Sequence, residues 1–418
     1  MTKDTPQIRF KGFTDAWEQR KFVTLLDKSD GIRRGPFGSA IRKDMFVEES
    51  DYVVYEQQNA IYDKYETRYN ITKEKYNELI RFKVNPGDFI MSGAGTIGRI
   101  SRVPKGIKKG VFNQALIRMK VSSNITDPDY FLHWLRSDDM QRRLTAANPA
   151  SAMENLVPMS EVKEWEVLVP QIEEQELLGQ LLTNLDNLIT LQQRKLEAMQ
   201  KLKQGYIQQL FPQEGETVPR MRFAEFEKPW EQRKLGEIVA FRRGLTYSPS
   251  DVSENGVRVL RSSNIDEDTF VLRDDDVFVE EQAVKIDLVN EDDILITSAN
   301  GSSRLVGKHA LIKDIDDKTV HGGFMLVASA NNPVFVNALM SASWYAKFIK
   351  VYVTGGNGAI GNLSKSDLEE HLVLVPSATE QTVIGEFFHN SNRQITAQAQ
   401  EVEQIKRLKA AYLQKMFV

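Results

Sequence analysis

Cysteine is absent from the 418 residues of this chain. Its absence excludes disulfide bonds, thiolate metal sites and a cysteine nucleophile, and it suits a reducing compartment. Long apolar runs are also lacking. No stretch approaches the roughly 18 residues of a membrane helix, and the first residues lack the apolar core of a signal peptide. Histidine is scarce, and the five histidines show no metal-ligand spacing. We therefore expect a cytoplasmic protein that has no membrane contact and no metal site.

An excess of positive charge is missing from the chain as a whole, whose net charge is −4 at neutral pH. The charge is unevenly distributed, however. Residues 28–120 hold 18 Lys and Arg against 11 Asp and Glu, whereas residues 241–330 hold 10 against 17. On charge alone the first segment fits a polyanion-binding module and the second does not. A function common to both segments has to accommodate this difference.

The most informative feature that is present is a duplication. Residues 171–211 and 377–417 align without a gap, and 13 of the 41 paired residues are identical. A second pair precedes them, because IRFKGFTDAWEQRK at 8–21 returns as MRFAEFEKPWEQRK at 221–234. The period is close to half the chain, so the pattern indicates a two-fold duplication and not a solenoid. Each half reads as a globular module followed by a long helix.

The segments after Pro170 and Pro376 are predicted to be long helices. Neither contains an internal proline, and apolar residues recur three and four positions apart, as in a coiled-coil seam. The recurring positions are Leu178, Leu181, Leu185, Leu188, Leu196, Met199, Tyr206 and Leu210, and Ile384, Phe387, Ile395, Val402, Ile405, Tyr412 and Met416. About 40 residues give a rod of roughly 60 Å, which cannot bury its apolar stripe alone. We expect the two helices to pair antiparallel; the alternative is two separate helices, each lying on its own module.

Both modules are predicted to mix strands and helices. Residues 87–101 and 292–306 each predict a strand, a small polar loop and a second strand. Residues 127–137 and 332–342 predict helices that are opened by an N-cap residue and a proline. A strand ending in proline (WEVLVP or LVLVP) precedes each long helix, and residues 211–220 have the composition of a linker.

The predicted fold class is α+β, with two tandem mixed α/β domains separated by two long helices that form an antiparallel coiled coil. The predicted boundaries are 1–170 for the first domain, 171–212 for the first helix, 213–376 for the second domain and 377–418 for the second helix.

Three enzyme-like motifs occur, and none is complete. Gly93, Gly95 and Gly98 spell GxGxxG after a predicted strand, but neither the helix nor the acidic residue of a dinucleotide site follows. The segments DPDY and NPVF lack the second proline of the amino-methyltransferase motif and are explained as helix starts. GSSRLVGKH lacks the Ser or Thr that follows the lysine of a phosphate-binding loop. The sequence therefore predicts a chain without a catalytic site.

Polar loops with basic residues are the candidate binding sites. IRRGPFGS at 32–39 pairs with FRRGLTYS at 241–248, and YEQQNAI at 55–61 pairs with LRSSNID at 260–266. Arg, Asn, Gln, Ser and Thr are the side chains that read base edges and hold phosphates. Each alone is more often a solvated loop residue, but their recurrence in both modules favours DNA binding. The predicted DNA-binding residues are Arg33, Arg34, Ser39, Gln58, Asn59, Ser92, Thr96 and Arg99, and Arg242, Arg243, Tyr247, Arg261, Asn264, Ser298, Asn300 and Arg304.

The order of these features resembles the DNA specificity (S) subunit of type I restriction-modification enzymes. The resemblance rests on WEQRK opening each half, on GPFGS and LRSSNI, on GDFIMSGAGTIG and DDILITS, and on LVPQIEEQ and LVPSATEQ before the long helices. It spans essentially the whole chain. The chain departs from the family pattern at Ser377-Ala378, where the family usually continues with proline or an aliphatic residue, and in its acidic second module.

The resemblance implies a sequence-specific DNA-binding subunit of a restriction system, which directs DNA methylation and is not itself an enzyme. Each target-recognition domain would read one half of a bipartite double-stranded DNA target. The helices would set the spacer and dock two methyltransferase (M) subunits, and restriction (R) subunits would join that complex. S-adenosylmethionine would belong to the M subunit, and ATP and Mg²⁺ to the R subunit, so this chain would bind no cofactor. The predicted partner-binding helix residues are Leu185, Leu188, Tyr206, Ile395, Ile405 and Tyr412.

Two other functions stay open at this point. A fused methyltransferase-specificity enzyme would need a complete methyltransferase motif, which the sequence lacks. A DNA-free coiled-coil scaffold would account for the acidic second module. Salt-dependent and sequence-dependent DNA binding by the assembled complex separates these functions from the one that the resemblance implies.

Overall fold

The computed structural model describes residues 5–37, 40–145, 157–353 and 361–417. The chain divides into two compact units. Unit 1 comprises Met1–Gln193 and Glu401–Val418, and unit 2 comprises Arg194–Gln400. Each long helix is therefore shared, because its first part belongs to one unit and its last part to the other. Across the described ranges, no helix is long and apolar enough to cross a membrane.

Unit 1 combines small sheets with short helices. Its strands are β1 (Glu18–Lys21), β2 (Ile32–Arg34), β3 (Tyr52–Tyr55), β4 (Asn70–Ile71), β5 (Lys83–Val84), β6 (Phe89–Ser92), β7 (Ile100–Arg102), β8 (Lys109–Phe112), β9 (Leu116–Met119) and β10 (Glu166–Val169). Its helices are α1 (Gln57–Tyr62), α2 (Lys73–Glu78), α3 (Pro128–Arg136), α4 (Asp138–Thr145), α5 (Met159–Glu164) and the first part of α6 (Ile172–Leu210).

Three sheets organise the described part of unit 1. The first has the order β2-β9-β6-β7 with antiparallel neighbours throughout. The second has the order β4-β3-β8-β5, in which β3 and β8 run parallel, and β1 pairs with β10. All residues of β6 and β9 are buried, so these strands do not alternate apolar and polar residues as a half-exposed strand does.

An aromatic core lies between the first sheet and the short helices of unit 1. Helix α3 begins where the side chain of Asp127 accepts a hydrogen bond from the backbone N–H of Tyr130, and Pro128 occupies the first turn. Its buried face packs Phe131 against Phe89, with ring centroids 5.1 Å apart. Burying several such rings supplies much of the apolar burial that holds the unit together.

Unit 2 repeats this plan. Its strands are β11 (Glu231–Lys234), β12 (Val239–Arg243), β13 (Val252–Ser253), β14 (Val257–Leu260), β15 (Ile265–Asp266), β16 (Thr269–Phe270), β17 (Val277–Val279), β18 (Ile294–Thr297), β19 (Ala299–Asn300), β20 (His309–Leu311), β21 (Thr319–His321), β22 (Met325–Ala330), β23 (Gly361–Asn362) and β24 (Leu372–Val375). Its helices are α7 (Pro333–Met340), α8 (Ser343–Tyr352), α9 (Lys365–Glu370) and the first part of α10 (Ala378–Lys415), together with the last part of α6.

The four-stranded sheets of unit 2 repeat those of unit 1 except for one edge strand of the second sheet: β5 pairs with β8 in unit 1, whereas β13 pairs with β17 at the opposite edge in unit 2. One sheet has the order β12-β22-β18-β20 and a second has β13-β17-β14-β21, in which β14 and β21 run parallel. Strand β11 pairs with β24 in the same register as β1 pairs with β10, since Glu18 faces Val169 and Glu231 faces Val375. The duplication predicted from the sequence is thus a duplication of the whole module.

The long helices pack against each other inside each unit. In unit 1, Lys409 Nζ lies 2.5 Å from Asp186 Oδ1, and Gln192 Nε2 donates to Glu401 Oε1 at 3.0 Å. Moving forward along α6 therefore means moving backward along α10, so this pairing is antiparallel. In unit 2 the ring of Tyr206 packs on the edge of a phenylalanine of α10, with centroids 5.0 Å apart. The prediction of paired antiparallel helices is confirmed within the units.

A buried ion pair joins the two repeated sequence segments. In unit 1, Arg9 forms a two-pronged pair with Glu174 at 2.9 and 2.7 Å. In unit 2, Arg222 forms the equivalent pair with Glu380 at 2.7 Å for both prongs. Both glutamates are almost fully buried. The segment that opens each module is therefore fastened to the first turn of the helix that ends it, which explains why both segments kept their sequence.

The structure confirms most elements that the sequence predicts and alters one. Helices α3 and α7 and the strands β10 and β24 lie where they were expected, and the long helices begin at Ile172 and Ala378. The prediction of two strands within 292–306 is wrong in its second part. Ala299–Asn300 pairs with Gly361–Asn362, and the next strand of the main sheet begins only at His309. The predicted division into four segments stays a proposal.

Candidate nucleic-acid interface

Four segments of unit 1 meet at one end of its sheets. Strand β2 ends where the N–H of Gly35 donates to Leu116 O at 2.9 Å, and β6 ends where the N–H of Gly93 donates to Ala115 O at 2.7 Å. The N–H of Asn113 donates to the carbonyl of the last residue of β3 at 3.0 Å. We call the segments 34–37, 56–62, 93–99 and 113–115 the first loop face.

Unit 2 builds the same arrangement with the same kind of hydrogen bonds. The N–H of Leu245 donates to His321 O at 2.7 Å, that of Gly322 to Leu260 O at 2.9 Å, and that of Ser298 to Phe324 O at 2.9 Å. We call the segments 243–249, 261–264, 298–304 and 322–324 the second loop face. The loop faces contain the predicted pairs Arg34 and Arg243, Asn59 and Asn264, and Arg99 and Arg304, whereas Arg33, Ser92 and Arg242 lie in the strands just before them.

On each loop face, a glycine allows two backbone segments to approach each other closely. A Cβ at Gly35 would lie 1.8 Å from Asn113 O, and a Cβ at Gly244 would lie 2.0 Å from Gly322 O. Both distances are far shorter than van der Waals contact, so no side chain fits at either position. The glycine of the repeated RRG is thus required by the close approach of the two backbones.

Some predicted residues are available for binding. On the first loop face Arg34, Gln58, Thr96 and Arg99 are exposed. On the second loop face Arg243 and Arg304 are exposed, and Tyr247, Arg261 and Asn300 are half-buried. Ser39 lies outside the described residues. The structure therefore brings a set of polar and basic side chains to one end of each unit.

The asparagines Asn59 and Asn264 are buried and fully engaged inside their own units. The Oδ1 of Asn59 accepts from the N–H of Glu56 at 2.7 Å, and its Nδ2 donates to the carbonyl of Lys64 at 2.7 Å. Asn264 repeats this scheme with the N–H of Arg261 at 2.8 Å and the carbonyl of Val271 at 3.0 Å. Their recurrence therefore reflects a shared turn, and we leave both out of the proposed interface.

Two predicted serines are buried as well. The hydroxyl of Ser92 donates to Thr96 O at 2.5 Å and accepts from the N–H of Arg99 at 3.0 Å, so it holds the loop 93–99 closed. Ser298 is also buried, with its carbonyl accepting from the N–H of Leu363 at 2.7 Å. Neither side chain is placed to reach a ligand, and the proposed interface omits both.

Arg33 and Arg242 occupy matching positions but contact different partners. Arg242 Nη2 lies 2.6 Å from Asp293, a buried carboxylate that also accepts from the N–H of Asn290 at 2.9 Å. Arg33 instead donates to Asp30 at 2.9 Å. Arg242 is therefore committed to its own unit.

In unit 1 a different arginine neutralises the matching carboxylate. Asp88 accepts from the N–H of Asn85 at 2.9 Å, as Asp293 does from its own turn. Arg118 contacts two carboxylates, because its Nη1 lies 3.6 Å from Asp88 and its Nη2 donates to Asp30 at 2.5 Å. Arg118 stands directly across from Arg33 in the β2–β9 pairing, and it is 1% exposed. The arginine that balances this buried acid has thus moved to the neighbouring strand. Burial raises the pKa of Asp88, whereas the arginine stabilises its charged form.

His321 holds strand β12 next to the second loop face. Its Nε2 lies 3.1 Å from the carbonyl oxygen of Arg242. Burial lowers the pKa of His321 to about 4, so the imidazole is neutral at physiological pH and donates this hydrogen bond. The residue fixes strand β12 and does not add charge to the loop face.

Exposed aromatic residues were not part of the sequence prediction. Phe37 on the first loop face is 91% exposed, and Phe324 on the second is 66% exposed. An aromatic residue beside glycines is a signal that the sequence does contain, in GPFGS and in HGGF. Such rings can contact bases or sit between them.

A pocket of about 760 Å³ opens on the second loop face. We call it the second-unit pocket. It is lined by Leu245, Thr246, Tyr247, Pro249, Val252, Arg261, Ser262, Ala299, Asn300, Gly301, Gly322, Gly323, Phe324 and Met325. Three of these, Tyr247, Arg261 and Asn300, belong to the DNA-binding residues predicted from the sequence. In the described part of the chain, no group of three or more His, Asp or Glu side chains could hold a metal ion.

The predicted partner-binding residues of the helices are mostly covered by their own units. Leu185 is buried, Tyr206 and Tyr412 pack against the unit cores, and Ile395 and Ile405 are half-buried. Leu188 is exposed. Two further exposed leucines stand at matching positions of the helices: Leu202 is 58% exposed and Leu408 is 45% exposed.

Comparison with known proteins places these features in one family. The family model described as the type I restriction modification DNA specificity domain matches residues 38–201 and again residues 227–407. Among curated proteins, the type I restriction enzyme MjaVIII specificity subunit of Methanocaldococcus jannaschii is 22% identical over 316 residues, covering 72% of each chain. The putative MjaX specificity subunit of the same organism is 22% identical over 350 residues, covering 80% of this chain and 78% of its own.

Two solved structures share the fold. One is the S subunit of a type I restriction-modification system from M. genitalium, with a TM-score of 0.63, 17% identity and 99% of each chain covered. The other is a chain from a structure of complex assembly and conformational transition in a type I R-M system, with a TM-score of 0.54 and 17% identity. It covers 96% of this chain and 97% of its own. Because the family model matches both halves of the sequence, the chain belongs to the type I restriction-modification DNA specificity family.

Proposed function

We propose that this chain reads a bipartite double-stranded DNA target, with each loop face reading one half. The observation that carries the proposal is the pairing of a common backbone scheme with different side chains. Matching backbone hydrogen bonds occur in both loop faces, as from Gly93 to Ala115 O and from Ser298 to Phe324 O. The exposed side chains differ, however, with Phe37 and Gln58 on the first face and Phe324 on the second. Two such surfaces fit two different base sequences, since side chains at base edges carry the sequence information.

The charges of the modules add a second expectation. The first segment, 28–120, carries a net charge of +7, and the second, 241–330, carries −7. Phosphate contacts by Lys and Arg release counterions and make DNA affinity dependent on salt. We therefore expect the first half-site to contribute more of the salt dependence than the second.

The helices are proposed to dock two methyltransferase subunits. Because α6 and α10 are duplicates, they present similar surfaces twice, which suits two copies of one partner. Leu202 and Leu408 are the matched exposed apolar residues on these surfaces. In this proposal S-adenosylmethionine binds to the methyltransferase subunit, and ATP and Mg²⁺ bind to the restriction subunits that join the complex.

Half-site binding tests the DNA-reading proposal. Methylome sequencing with and without this gene defines the target, and the assembled methyltransferase complex is then titrated with duplexes in which either half is scrambled. Arg34→Ala with Arg99→Ala should weaken recognition of one half-site, and Arg243→Ala with Arg304→Ala that of the other. Each lost base contact costs about 1–3 kcal/mol.

Matched controls come from the repeated WEQRK segment. Lys21 pairs with Glu164 and Lys234 with Glu370 on the exposed surface of β1 and β11. Lys21→Ala and Lys234→Ala remove a positive charge from each unit outside the loop faces, so they should leave half-site affinity unchanged. Two arginine variants that lose the same half-site, or a continuous target sequence, would contradict the proposal.

A further inference from the structure

The second-unit pocket is larger than the reading of base edges requires. Its volume of about 760 Å³ is in the range of sites that enclose a small molecule, roughly 300–1,000 Å³. A contact to a thymine methyl group needs only a shallow apolar surface. The pocket opens between the four segments of the second loop face, where the proposed function places DNA.

The walls of the pocket suit a flat aromatic ligand. Tyr247 and Phe324 supply aromatic rings, and the buried side chains of Leu245 and Met325 make it apolar inside. Gly301 also lines it, and a Cβ there would meet no atom within 4 Å. An apolar site with aromatic walls binds a nucleobase by stacking, which tolerates any base because each has a π face.

A few polar groups accompany these walls. Asn300 Nδ2 donates to Ser262 Oγ at 3.1 Å, and its Oδ1 accepts from the N–H of Ser302 at 2.9 Å, which fixes the amide in place. Arg261 Nη2 donates to the carbonyl of Asp275 at 3.0 Å. Within the described residues, the Nε of Arg261 is buried and has no hydrogen-bond partner. Arginine and asparagine are side chains that recognise base edges.

Because unit 2 is acidic, the pocket could supply DNA affinity that phosphate contacts do not. Segment 241–330 has a net charge of −7, so it gains little from phosphate contacts, which supply most of the affinity of ordinary DNA-binding modules. A base buried between aromatic rings supplies affinity that depends weakly on salt. The pocket thus offers unit 2 a means of binding that its charge does not.

We infer that the second-unit pocket receives one nucleobase turned out of the DNA duplex, stacked between Tyr247 and Phe324 beside Arg261 and Asn300. This inference rests on the proposed function and goes beyond it, because reading base edges leaves the duplex closed. Phe324 is exposed at the rim, so its ring can close over the base once the base has entered the pocket. No covalent step is involved: the chain binds the base and does not modify it.

Base-specific fluorescence tests the inference. 2-Aminopurine is placed in turn at each position of the second half-site of the target duplex, and the assembled methyltransferase complex is added. With the wild-type chain, fluorescence should rise severalfold at one position because the base leaves the stack. Tyr247→Ala with Phe324→Ala, and separately Gly301→Leu, should remove most of that rise. Any rise that persists in both variants belongs to the methyltransferase subunits.

A control variant and a second measurement sharpen the test. Val351 is exposed in unit 2 but does not line the pocket, so Val351→Ala should retain the full rise. Replacing the same base by an abasic sugar should weaken binding of the wild-type chain about as much as the pocket variants do, since the stacking in the pocket is lost together with the cost of unstacking, and it should not weaken the pocket variants further. The variants with an altered pocket should bind the intact target at least fivefold more weakly.

The fluorescence and affinity measurements distinguish failure of the inference from failure of the proposed function. If the complex reads the second half-site but no position loses its fluorescence rise in the pocket variants, the inference is overturned and the proposed function stands. If the wild-type complex does not discriminate the second half-site from a scrambled one, the proposed function fails and the inference fails with it.

Discussion

At the scale of single residues, recurrence between the two units marks structure more often than function. Asn59 and Asn264 recur because both close the same buried turn. Gly35 and Gly244 recur because a backbone oxygen occupies the place of a side chain. Residues that read different half-sites have no reason to match. Apart from Arg34 and Arg243, whose guanidinium groups can contact DNA in either half-site, the proposed reading residues are therefore to be sought among exposed positions that differ between the loop faces.

The buried acids Asp88 and Asp293 give the first prediction. Removing Arg118 leaves the charge of Asp88 without its partner inside unit 1, and breaking a buried pair in this way costs about 3 kcal/mol. Arg118→Met should therefore weaken hydrogen-exchange protection in unit 1 and leave unit 2 unchanged. Adding Asp88→Asn removes the stranded charge and should restore part of the loss.

Arg33→Met is the matched control for this experiment. Arg33 faces Arg118 across the strands and shares its partner Asp30, a partly exposed carboxylate. Arg33 is half-buried, whereas Arg118 also lies beside the buried Asp88. Its loss should cost about 1 kcal/mol or less. Equal destabilisation by the two methionine variants, or a double variant no better than Arg118→Met, would show that the buried charge is not what Arg118 balances.

At the scale of elements, the sequence predicted what local rules determine. The N-caps Asp127 and Asn332, each followed by proline, correctly placed the starts of α3 and α7. The second strand expected within 292–306 does not join the main sheet. Residues Ala299–Asn300 pair instead with Gly361–Asn362, about 60 residues further along the chain, and local sequence rules do not indicate so distant a partner. The composition of the loop faces could not be predicted from the sequence either. Which loops lie at the same end of a unit depends on how the strands pair.

Replacing Gly179 or Gly385 by alanine should lower the stability of the two units to different extents. A Cβ at Gly179 would lie 2.5 Å from Asp127 Oδ1 and 2.6 Å from the nitrogen of Tyr130, whereas at Gly385 the closest distance is 3.1 Å. Gly179→Ala should destabilise unit 1 by about 1–3 kcal/mol, and Gly385→Ala should destabilise unit 2 less. Unfolding in urea measures both.

Gly205 supplies the control in the same helix. No atom lies within 4 Å of a Cβ placed there, so Gly205→Ala should stabilise the protein by up to about 1 kcal/mol through helix propensity alone. A loss of stability in Gly205→Ala similar to that in Gly179→Ala would mean that close packing on the cap of α3 is not the cause.

The matched leucines Leu202 and Leu408 carry the prediction for partner docking. Both are exposed, so Leu202→Glu and Leu408→Glu should leave the fold intact. If each contacts one methyltransferase subunit, either variant should weaken one of two docking events at least tenfold, and the double variant both. The buried Leu185 is less suitable, because a charge there would disrupt its own unit.

Stoichiometry by mass measurement of the co-purified complex is the readout. Gln208→Glu and Gln414→Glu are matched controls, since these identical exposed residues lie about 120° round the helix from the leucines. They should retain two methyltransferase subunits. A double leucine variant that still binds two subunits would place the docking surface elsewhere.

At the scale of the whole molecule, the duplication explains why a non-catalytic chain has this form. Each unit completes its core with the start of one long helix and the end of the other, as Phe211 does on Trp230 in unit 2 and Phe417 on Tyr130 in unit 1. Both units therefore need both helices. A change in helix length has to be made in α6 and α10 together if the pairing inside the units is to be kept.

The spacer of the target is expected to follow the length of these helices. Removing residues 190–196 from α6 and 398–404 from α10 takes paired stretches, because Gln192 contacts Glu401. Seven residues span about 10 Å of helix, which corresponds to about three base pairs at 3.4 Å each. Removal of about two turns also keeps the apolar stripe nearly in phase.

Methylome sequencing of cells carrying the shortened chain should return both half-sites unchanged and a spacer altered by about three base pairs. Shortening α6 alone should instead reduce assembly, since its partners on α10 are then out of register. An unchanged spacer in a double-deletion chain that still methylates DNA would show that the helices do not set the distance between the half-sites.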